Sequence, residues 1–146
     1  MTASDDLLLL ENQLCFALVT AARNVVAIYR PILEPLGLTH PQYLVMLALW
    51  ERSPRTLNDL AADLALEPAT ASPLVKRLEK EGLVARQRST DDERRLDITL
   101  TEAGSALRDR ALDVPRQVMA AVGMDAGEVA ALRDGVARFA GRTTST

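Results

Sequence analysis

The 146-residue chain has only one cysteine and one histidine. A single thiol cannot close a disulfide within the chain, and one Cys with one His is too few for a protein-only zinc site. The sequence also lacks nucleotide-binding and metal-binding motifs. We therefore predict no disulfide, no metal and no cofactor, and we expect a protein without catalytic residues that is not an enzyme.

Long apolar runs and a targeting signal are also missing. The longest run of leucines covers residues 7–10, flanked by Asp5, Asp6 and Glu11, and is far shorter than the roughly 18 apolar residues that span a bilayer. The N-terminus has no basic leader followed by a small-residue cleavage site. We expect a cytoplasmic protein that does not enter a membrane, with one domain, alone or with dimerisation arms.

The formal net charge is small, at −3, but it is unevenly distributed. Residues 76–95 contain seven basic and five acidic side chains and so carry +2, whereas the remaining residues carry −5. A basic face on an acidic body can be a footprint for DNA. An ordinary solvated run of charges has the same pattern, and charge alone leaves both interpretations open.

The first predicted element is a long helix over residues 7–30. Apolar side chains recur along it at helical spacing, and Pro31 is expected to end it. At 1.5 Å per residue this helix is about 36 Å long. Both of its flanks are rather apolar, which favours packing against a partner subunit.

Two helices are predicted next. Thr39 can cap the first, and its apolar run at 43–50 should be buried. The second is short, over about 57–64, and follows the capping signal formed by Thr56 and Asp59.

A third helix over about 69–81 ends at Gly82, because glycine tolerates the left-handed backbone just past a helix. The period of the apolar residues then changes to two over 83–88 and 95–100, with a polar turn between them. This pattern predicts a β-hairpin with a charged tip.

The C-terminal part predicts two further helices. Thr101 caps one that continues to about residue 122 with a bend at Pro115. Asp125 caps the last, which runs to about residue 140.

The order of elements predicts a mainly α fold containing a winged helix-turn-helix. The DNA-binding region is expected over about 39–100, with dimerisation helices at about 7–30 and 101–140, in a chain 1–146 that forms a single unit. A helix of about three turns fits the major groove, and an Arg-bearing hairpin tip can reach the minor groove. The alternative is that the two helices and the hairpin serve only as a structural scaffold and do not bind DNA.

The predicted contacts with DNA fall into three groups. We expect Arg94 at the hairpin tip to enter the minor groove, oriented by Asp92. Arg86, Arg88 and Arg95 either contact phosphates or form salt bridges within the scaffold. The predicted major-groove contacts lie on the outward face of the third helix: Thr70, Ser72, Lys76 and Arg77.

Several segments resemble one family. VKRLEKEGLV at 75–84, DDERR at 91–95 and LTEAG at 100–104 are similar to the signature of MarR-type winged-helix regulators. LLENQLCFAL at 9–18, YRP at 29–31 and PQYLVM at 41–46 resemble its organic-hydroperoxide-responsive (OhrR) branch. The resemblance implies that Cys15 is the peroxide-sensing thiol and that Tyr29 of the second subunit hydrogen-bonds to it.

The residues themselves leave the role of Cys15 open. A free Cys often packs as a small buried hydrophobe. Glu11 lies one turn earlier and opposes a thiolate, and we place Cys15 at least two turns inside its helix, where the helix dipole helps little. Tyr29 lies 14 residues later, about 21 Å along the helix, so only the copy on an antiparallel partner helix can reach Cys15. Alternatively, Tyr29 simply packs at the end of its helix.

Two positions depart from the OhrR branch. Val19 and His40 stand where tyrosines are common there. His40 is either a compensating hydrogen-bond donor or a solvated or capping residue at a helix start. Because the chain has no second Cys, an oxidised Cys15 needs an external thiol to be resolved.

The sequence thus predicts a homodimeric DNA-binding regulator, a repressor that binds a pseudo-palindromic operator. Oxidation of Cys15 by an organic hydroperoxide or a related oxidant is expected to release the DNA. The alternative is a MarR-type regulator controlled by a small aromatic or apolar ligand, with a structural Cys15. A one-Cys thiol peroxidase is a third hypothesis, disfavoured by the single His.

Overall fold

The computed structural model describes residues 3–139 of the chain. They form a mainly helical fold with one small antiparallel sheet, which confirms the predicted fold class. The elements are α1 (Ala3–Leu7), α2 (Leu14–Leu33), α3 (His40–Glu51), β1 (Arg55–Thr56), α4 (Leu57–Asp63), α5 (Pro68–Lys80), β2 (Val84–Arg88), β3 (Leu96–Leu100), α6 (Glu102–Ala111), α7 (Val114–Val122) and α8 (Ala126–Val136).

The N-terminal arm is interrupted, so the prediction of one helix over 7–30 was wrong at both ends. A 3-10 turn, Leu10–Asn12, separates α1 from α2. The Gln13 side-chain amide donates hydrogen bonds to the carbonyls of Leu7 (2.7 Å) and Leu9 (2.9 Å). Such side-chain bonds compete with the helical pattern and end α1.

Pro31 lies inside α2 and does not stop it. A proline there leaves the carbonyl four residues earlier, that of Ala27, without its helical donor. Ala27 is exposed, so water can satisfy this carbonyl. The helix ends at Leu33, and the chain turns at Gly37 with φ +73°.

The core surrounds α3. As predicted, Thr39 caps this helix: its hydroxyl accepts from the Gln42 N–H (3.3 Å), and the Gln42 side chain accepts from the Thr39 N–H (2.9 Å). The apolar run at 43–50 is largely buried, except that Leu44 and Leu47 are exposed. The largest fully buried apolar side chains come from several elements: Leu33, Met46, Leu49, Leu60, Leu78 and Ile98.

Helices α4 and α5 form the predicted helix-turn-helix. The Thr56 hydroxyl accepts from the Asp59 N–H at 3.1 Å and caps α4. The turn between the helices places Ala65 in the left-handed region, at φ +57°. Gly82, at φ +81°, follows α5 as predicted.

The sheet has three strands in the order β1-β3-β2, all antiparallel. The hairpin β2–β3 was predicted, with Val84 opposite Leu100 and Arg88 opposite Leu96. The short strand β1, which pairs Arg55 with Ile98, was not predicted. A strand of two residues is too short to show the alternation of apolar and polar side chains from which strands are predicted.

The C-terminal region is broken where a single bent helix was expected over 101–122. Helix α6 ends at Ala111, and Pro115 lies in the first turn of α7. The ring of a proline clashes with the carbonyl four residues earlier, here that of Ala111, so the chain breaks rather than bends. The predicted last helix is α8 with a short 3-10 turn to Phe139; residue 140 lies outside the described residues.

Helix α2 has several exposed large apolar side chains, among them Leu14, Phe16 and Val19. The stretch Leu14–Leu36 is long and apolar enough to cross a membrane by length and composition, with a mean hydropathy of 1.3. The sequence expectation concerned uninterrupted apolar runs, whereas this hydropathy is an average over a window that also contains polar residues. Val25, Val26, Ala27 and Ile28, which lie between Arg23 and Arg30, help to raise this average. Since only 6% of this window is buried, the helix leaves an apolar face without cover within one subunit.

Candidate functional site

Helix α5 presents a polar face away from the core. Its inner side chains, Ala71, Val75 and Leu78, are buried. The outward side chains of Thr70, Lys76 and Arg77 are exposed, as predicted, and Lys80 is also exposed.

Ser72 differs from the other candidate contacts on α5. It is half-buried and lines a small cavity of about 50 Å³ with Leu57, Arg86 and Leu96. Its hydroxyl is therefore less available to an external partner than the other three side chains.

The wing formed by β2 and β3 carries an exposed arginine at its tip. The Arg94 side chain is 92% exposed. The Asp92 carboxylate accepts hydrogen bonds from the Arg94 N–H (3.0 Å) and from its Nε (3.4 Å). The predicted Asp92–Arg94 contact is thus present, and it restrains a guanidinium that points away from the body.

Arg86 is engaged within the chain. Its Nη2 lies 3.0 Å from Oε1 of Glu79, and its Nε donates to the same oxygen at 3.2 Å. The hydrogen bond from Arg86 lowers the pKa of the Glu79 carboxyl. Of the two roles left open for Arg86, this ion pair favours the scaffold, because it ties β2 to α5.

Two further contacts fix the position of the wing. The Thr101 hydroxyl donates to the Gly82 carbonyl (2.6 Å), and the Trp50 indole donates to the Gly104 carbonyl (2.9 Å).

The sequence did not predict the role of Arg55, which is only 4% exposed. Its guanidinium donates to the Ala48 carbonyl (3.0 Å) and forms an ion pair with Asp63. An arginine within a β-strand of only two residues gives no signal in the pattern of apolar residues.

Cys15 is exposed and is the second residue of α2. The prediction that it lies at least two turns inside a helix was wrong, because α2 begins at Leu14. The first turn of a helix has free N–H groups and the positive end of the helix dipole, which favour an anion. Cys15 therefore lies at the positive end of α2, with Glu11 in the preceding turn.

Tyr29 lies towards the other end of α2 and is half-buried. Its ring contacts His40 edge-on, with centroids 5.0 Å apart, and Tyr43 at 5.8 Å. Burial raises the pKa of both phenols and lowers the pKa of the His40 imidazole. His40 does not cap α3, since Thr39 does, so the capping interpretation was wrong.

Two cavities of about 360 Å³ each lie on either side of this aromatic cluster. The Trp50 cavity lies among α3, α6 and α7 and is lined by Tyr43, Leu47, Trp50, Glu51, Arg108, Ala111, Leu112 and Pro115. The His40 cavity lies between the end of α2 and the start of α3 and is lined by Val26, Arg30, Glu34, Leu38, Thr39, His40 and Pro41. Among residues 3–139, no group of His, Cys, Asp and Glu side chains is arranged to hold a metal ion.

Comparison with known proteins gives consistent matches. The MarR family profile matches residues 38–96. The chain is 43% identical over 110 residues to the organic hydroperoxide resistance transcriptional regulator of Bacillus subtilis, and the match covers 75% of each protein.

Solved structures agree with this match. Reduced AbfR bound to DNA, a protein of Staphylococcus epidermidis, has a TM-score of 0.67 and 41% identity and covers 72% of this chain and 77% of AbfR. CouR from Rhodococcus jostii RHA1 bound to p-coumaroyl-CoA has a TM-score of 0.75 and 29% identity and covers 95% and 99%.

Proposed function

This chain belongs to the MarR family, and we propose that it is a homodimeric repressor whose hold on DNA is released when Cys15 is oxidised by an organic hydroperoxide. In this proposal residues 39–100 bind DNA, the helices at about 7–30 and 101–140 form the dimer, and the protein acts as a regulator rather than an enzyme. The observation that carries it is the exposed Cys15 in the first turn of α2, set within the apolar face of that helix.

The dimer is supported by the apolar side chains that one subunit leaves uncovered. Leu14 and Leu132 are 59% and 58% exposed, and Phe16, Val19 and Phe139 are also exposed. Burial of such surface stabilises association by about 25 cal/mol per Å². A second copy is the partner that presents a matching apolar face.

The site around Cys15 is completed in trans in this arrangement. Two antiparallel copies of α2 related by a two-fold axis near Ala22 place Cys15 opposite the partner's Tyr29. The small residues Ala21 and Ala22 allow the helices to approach closely at the crossing point. The partner's phenol then donates a hydrogen bond to the thiolate.

DNA binding is supported by α5 and the wing. Thr70, Lys76 and Arg77 offer donors to base edges and phosphates in the major groove, with Ser72 nearer the wing. In this proposal Arg94, which is exposed at the tip of the wing, enters the minor groove. Two-fold symmetry predicts a pseudo-palindromic site with half-sites about one helical turn apart.

The sensing chemistry requires one oxidant. The Cys15 thiolate attacks the terminal oxygen of the hydroperoxide, so that a sulfur–oxygen bond forms and the oxygen–oxygen bond breaks. The leaving oxygen takes a proton and departs as an alcohol, and the thiol becomes a sulfenic acid. The larger, polar sulfur group then disturbs the contact between the two copies of α2. This changes the distance between the two DNA-binding regions of the dimer.

The test is a DNA-binding titration before and after oxidation. A duplex selected from a random pool by the reduced protein is titrated with wild type and Cys15→Ser, each with and without cumene hydroperoxide. We expect at least a tenfold loss of affinity for oxidised wild type, about 1.4 kcal/mol, and no change for Cys15→Ser. Unchanged affinity of wild type carrying a sulfenic acid would contradict the redox proposal.

A second candidate function is control by a small organic ligand. The Trp50 cavity supports it, since it is largely apolar and contains Arg108 and Glu51 as polar groups, a composition typical of ligand sites. CouR, which was solved with p-coumaroyl-CoA bound, supports it by analogy. An aromatic carboxylate that releases DNA from wild type and Cys15→Ser alike, but not from Leu47→Trp, would favour this function over the redox proposal.

A further inference from the structure

The guanidinium of Arg55 is buried at a position where an apolar side chain is the ordinary choice. Arg55 is 4% exposed and lies opposite the core residue Ile98 in the sheet. Its Nη1 donates to the Ala48 carbonyl (3.0 Å), and its Nη2 forms an ion pair with the Asp63 carboxylate. Within the part of the chain that the structure describes, its Nε is buried and makes no hydrogen bond. Arg55 is therefore a buried cation that is only partly satisfied.

Such an ion pair is a poor means of stabilising a fold. Removing a guanidinium from water has a large cost in free energy, which the attraction to a carboxylate offsets only in part. Asp63 is itself 56% exposed, and Arg52 lies 3.9 Å from the same carboxylate oxygen. Apolar side chains that replace a buried ion pair often leave stability unchanged or increase it. The value of this pair therefore lies in where it holds the chain.

The ion pair crosses a gap between α3 and α4. A groove of about 450 Å³ lies between these helices, and Leu47 of α3 and Leu64, which follows α4, are among the side chains that line it. Arg55 and Asp63 line the same groove. Apolar packing thus leaves this part of the helix pair unfilled. The connection from the Ala48 carbonyl through the guanidinium to Asp63 spans it instead.

The two ends of this connection belong to different parts of the molecule. Ala48 lies near the C-terminal end of α3, and α3 packs against α2, the proposed dimerisation helix. Arg55 and Asp63 belong to what we call the DNA-reading unit, residues 55–100. Within this unit β1 pairs with β3 of the wing, and α4 packs against α5. The ion pair therefore links the DNA-reading unit, through α3, to the helix that is proposed to form the dimer.

We infer that the Arg55–Asp63 ion pair positions the DNA-reading unit: it holds the unit at a fixed angle to α3 and thereby sets the separation of the two units in the dimer. This inference rests on the proposed homodimeric DNA binding and is independent of the chemistry of Cys15. Arg55 is a positioning residue, because its buried guanidinium acts on DNA only through α3 and α4.

Loss of the ion pair has two expected effects on DNA binding. Only a fraction of the dimers then presents both units at the correct separation, and the apparent affinity falls by that fraction. The same freedom lets the dimer accept half-sites at a different separation. One inserted base pair moves the half-sites about 3.4 Å further apart and rotates them by about 35°, so a looser dimer discriminates less against it. A residue that only stabilises the fold has no effect on this discrimination.

The experiment compares wild type with Arg55→Leu/Asp63→Asn, which keeps the net charge and replaces the buried cation by an apolar side chain. Fluorescence anisotropy of the reduced proteins measures the affinity for the selected duplex and for the same duplex with one base pair inserted between its half-sites. We expect the affinity for the selected duplex to fall about tenfold and the preference for the original spacing to fall about threefold. The midpoint of urea unfolding should stay the same or rise.

Two controls show whether the effect belongs to this ion pair and to the spacing. Arg116→Leu/Asp113→Asn removes an exposed ion pair (3.3 Å) at the start of α7 with the same changes of side chain. It should alter neither the affinity nor the preference for spacing. A duplex with one half-site engages a single DNA-reading unit, so wild type and both double variants should bind it equally.

Three results would overturn the inference. An Arg55→Leu/Asp63→Asn variant that is unfolded or clearly less stable than wild type would show that the ion pair serves stability. Equal losses of affinity for both spacings, or a loss for the single half-site, would place the defect inside the DNA-reading unit. Effects of the same size in the α7 control would show that any ion pair has this influence.

The experiment also distinguishes this inference from the proposal beneath it. If wild type binds no selected duplex, or binds both spacings equally well, homodimeric DNA binding is itself wrong, and the inference is wrong with it. If wild type prefers the original spacing and Arg55→Leu/Asp63→Asn prefers it to the same degree, the dimeric function stands and the role of the ion pair is wrong.

Discussion

At the scale of the residue, Gly104 shows why the first turn of α6 requires a glycine at this position. Its amide donates to the Thr101 hydroxyl (3.0 Å), and its carbonyl accepts from Trp50. A Cβ at this position would overlap the carbonyl oxygen of Leu83. The absence of a side chain thus lets α6 approach the start of the wing.

We predict that Gly104→Ala lowers the free energy of unfolding by about 2–3 kcal/mol, because backbone atoms must move to remove the overlap. Urea unfolding followed by circular dichroism measures this loss. Gly135→Ala, in α8 with open space around the added methyl group, is the matched control and should stabilise by about 0.5–1 kcal/mol. If the two variants were equally stable, the close approach of α6 to the start of the wing would be refuted.

The exposure of single residues was the most predictable property of the candidate site. Lys76, Arg77 and Arg94 are exposed as the helical and alternating patterns indicated. The surroundings of Cys15 were not predictable, because the start of α2 depends on side-chain bonds from Gln13 that periodicity does not reveal. The contact between Tyr29 and His40 depends on how α2 packs against α3.

At the scale of the element, capping residues and a glycine stop determined where several helices begin or end. Caps at Thr39, Thr101 and Asp125 and the stop at Gly82 lie where the sequence placed them. Prolines were less predictable: Pro31 is tolerated within α2, whereas Pro115 separates two helices. At Pro31 the helix continues because water can reach the carbonyl of Ala27, whereas at Pro115 the chain breaks after Ala111. The sequence alone does not indicate which of these outcomes a proline will have.

The wing gives a prediction about DNA. Arg94→Ala should weaken binding to the selected duplex about tenfold and reduce the slope of log affinity against log salt by about one, as expected for the loss of one backbone or groove contact. Fluorescence anisotropy at several salt concentrations measures both quantities. Arg116→Ala removes the same charge from an arginine that is 84% exposed on α7 and should change neither. Equal effects of the two substitutions would show that only net charge matters.

At the scale of the whole molecule, the proposed function depends on the pairing of two subunits. One subunit leaves α2 with an apolar face and keeps Cys15 and Tyr29 at opposite ends of that helix. A sensor that needs both residues together is therefore complete only in a dimer. In the proposed dimer the same pairing aims both wings at one duplex, and under this proposal sensing and DNA binding share an interface.

The most direct measurement is the oxidation rate of Cys15 in a mixed dimer of Cys15→Ser and Tyr29→Phe, isolated with two different tags. In this dimer the remaining Cys15 faces the intact Tyr29 of the other subunit. We predict oxidation by cumene hydroperoxide at the wild-type rate, whereas the Tyr29→Phe homodimer reacts more slowly. A mixed dimer as slow as that homodimer, or a wild-type protein that is monomeric in solution, would contradict the shared site.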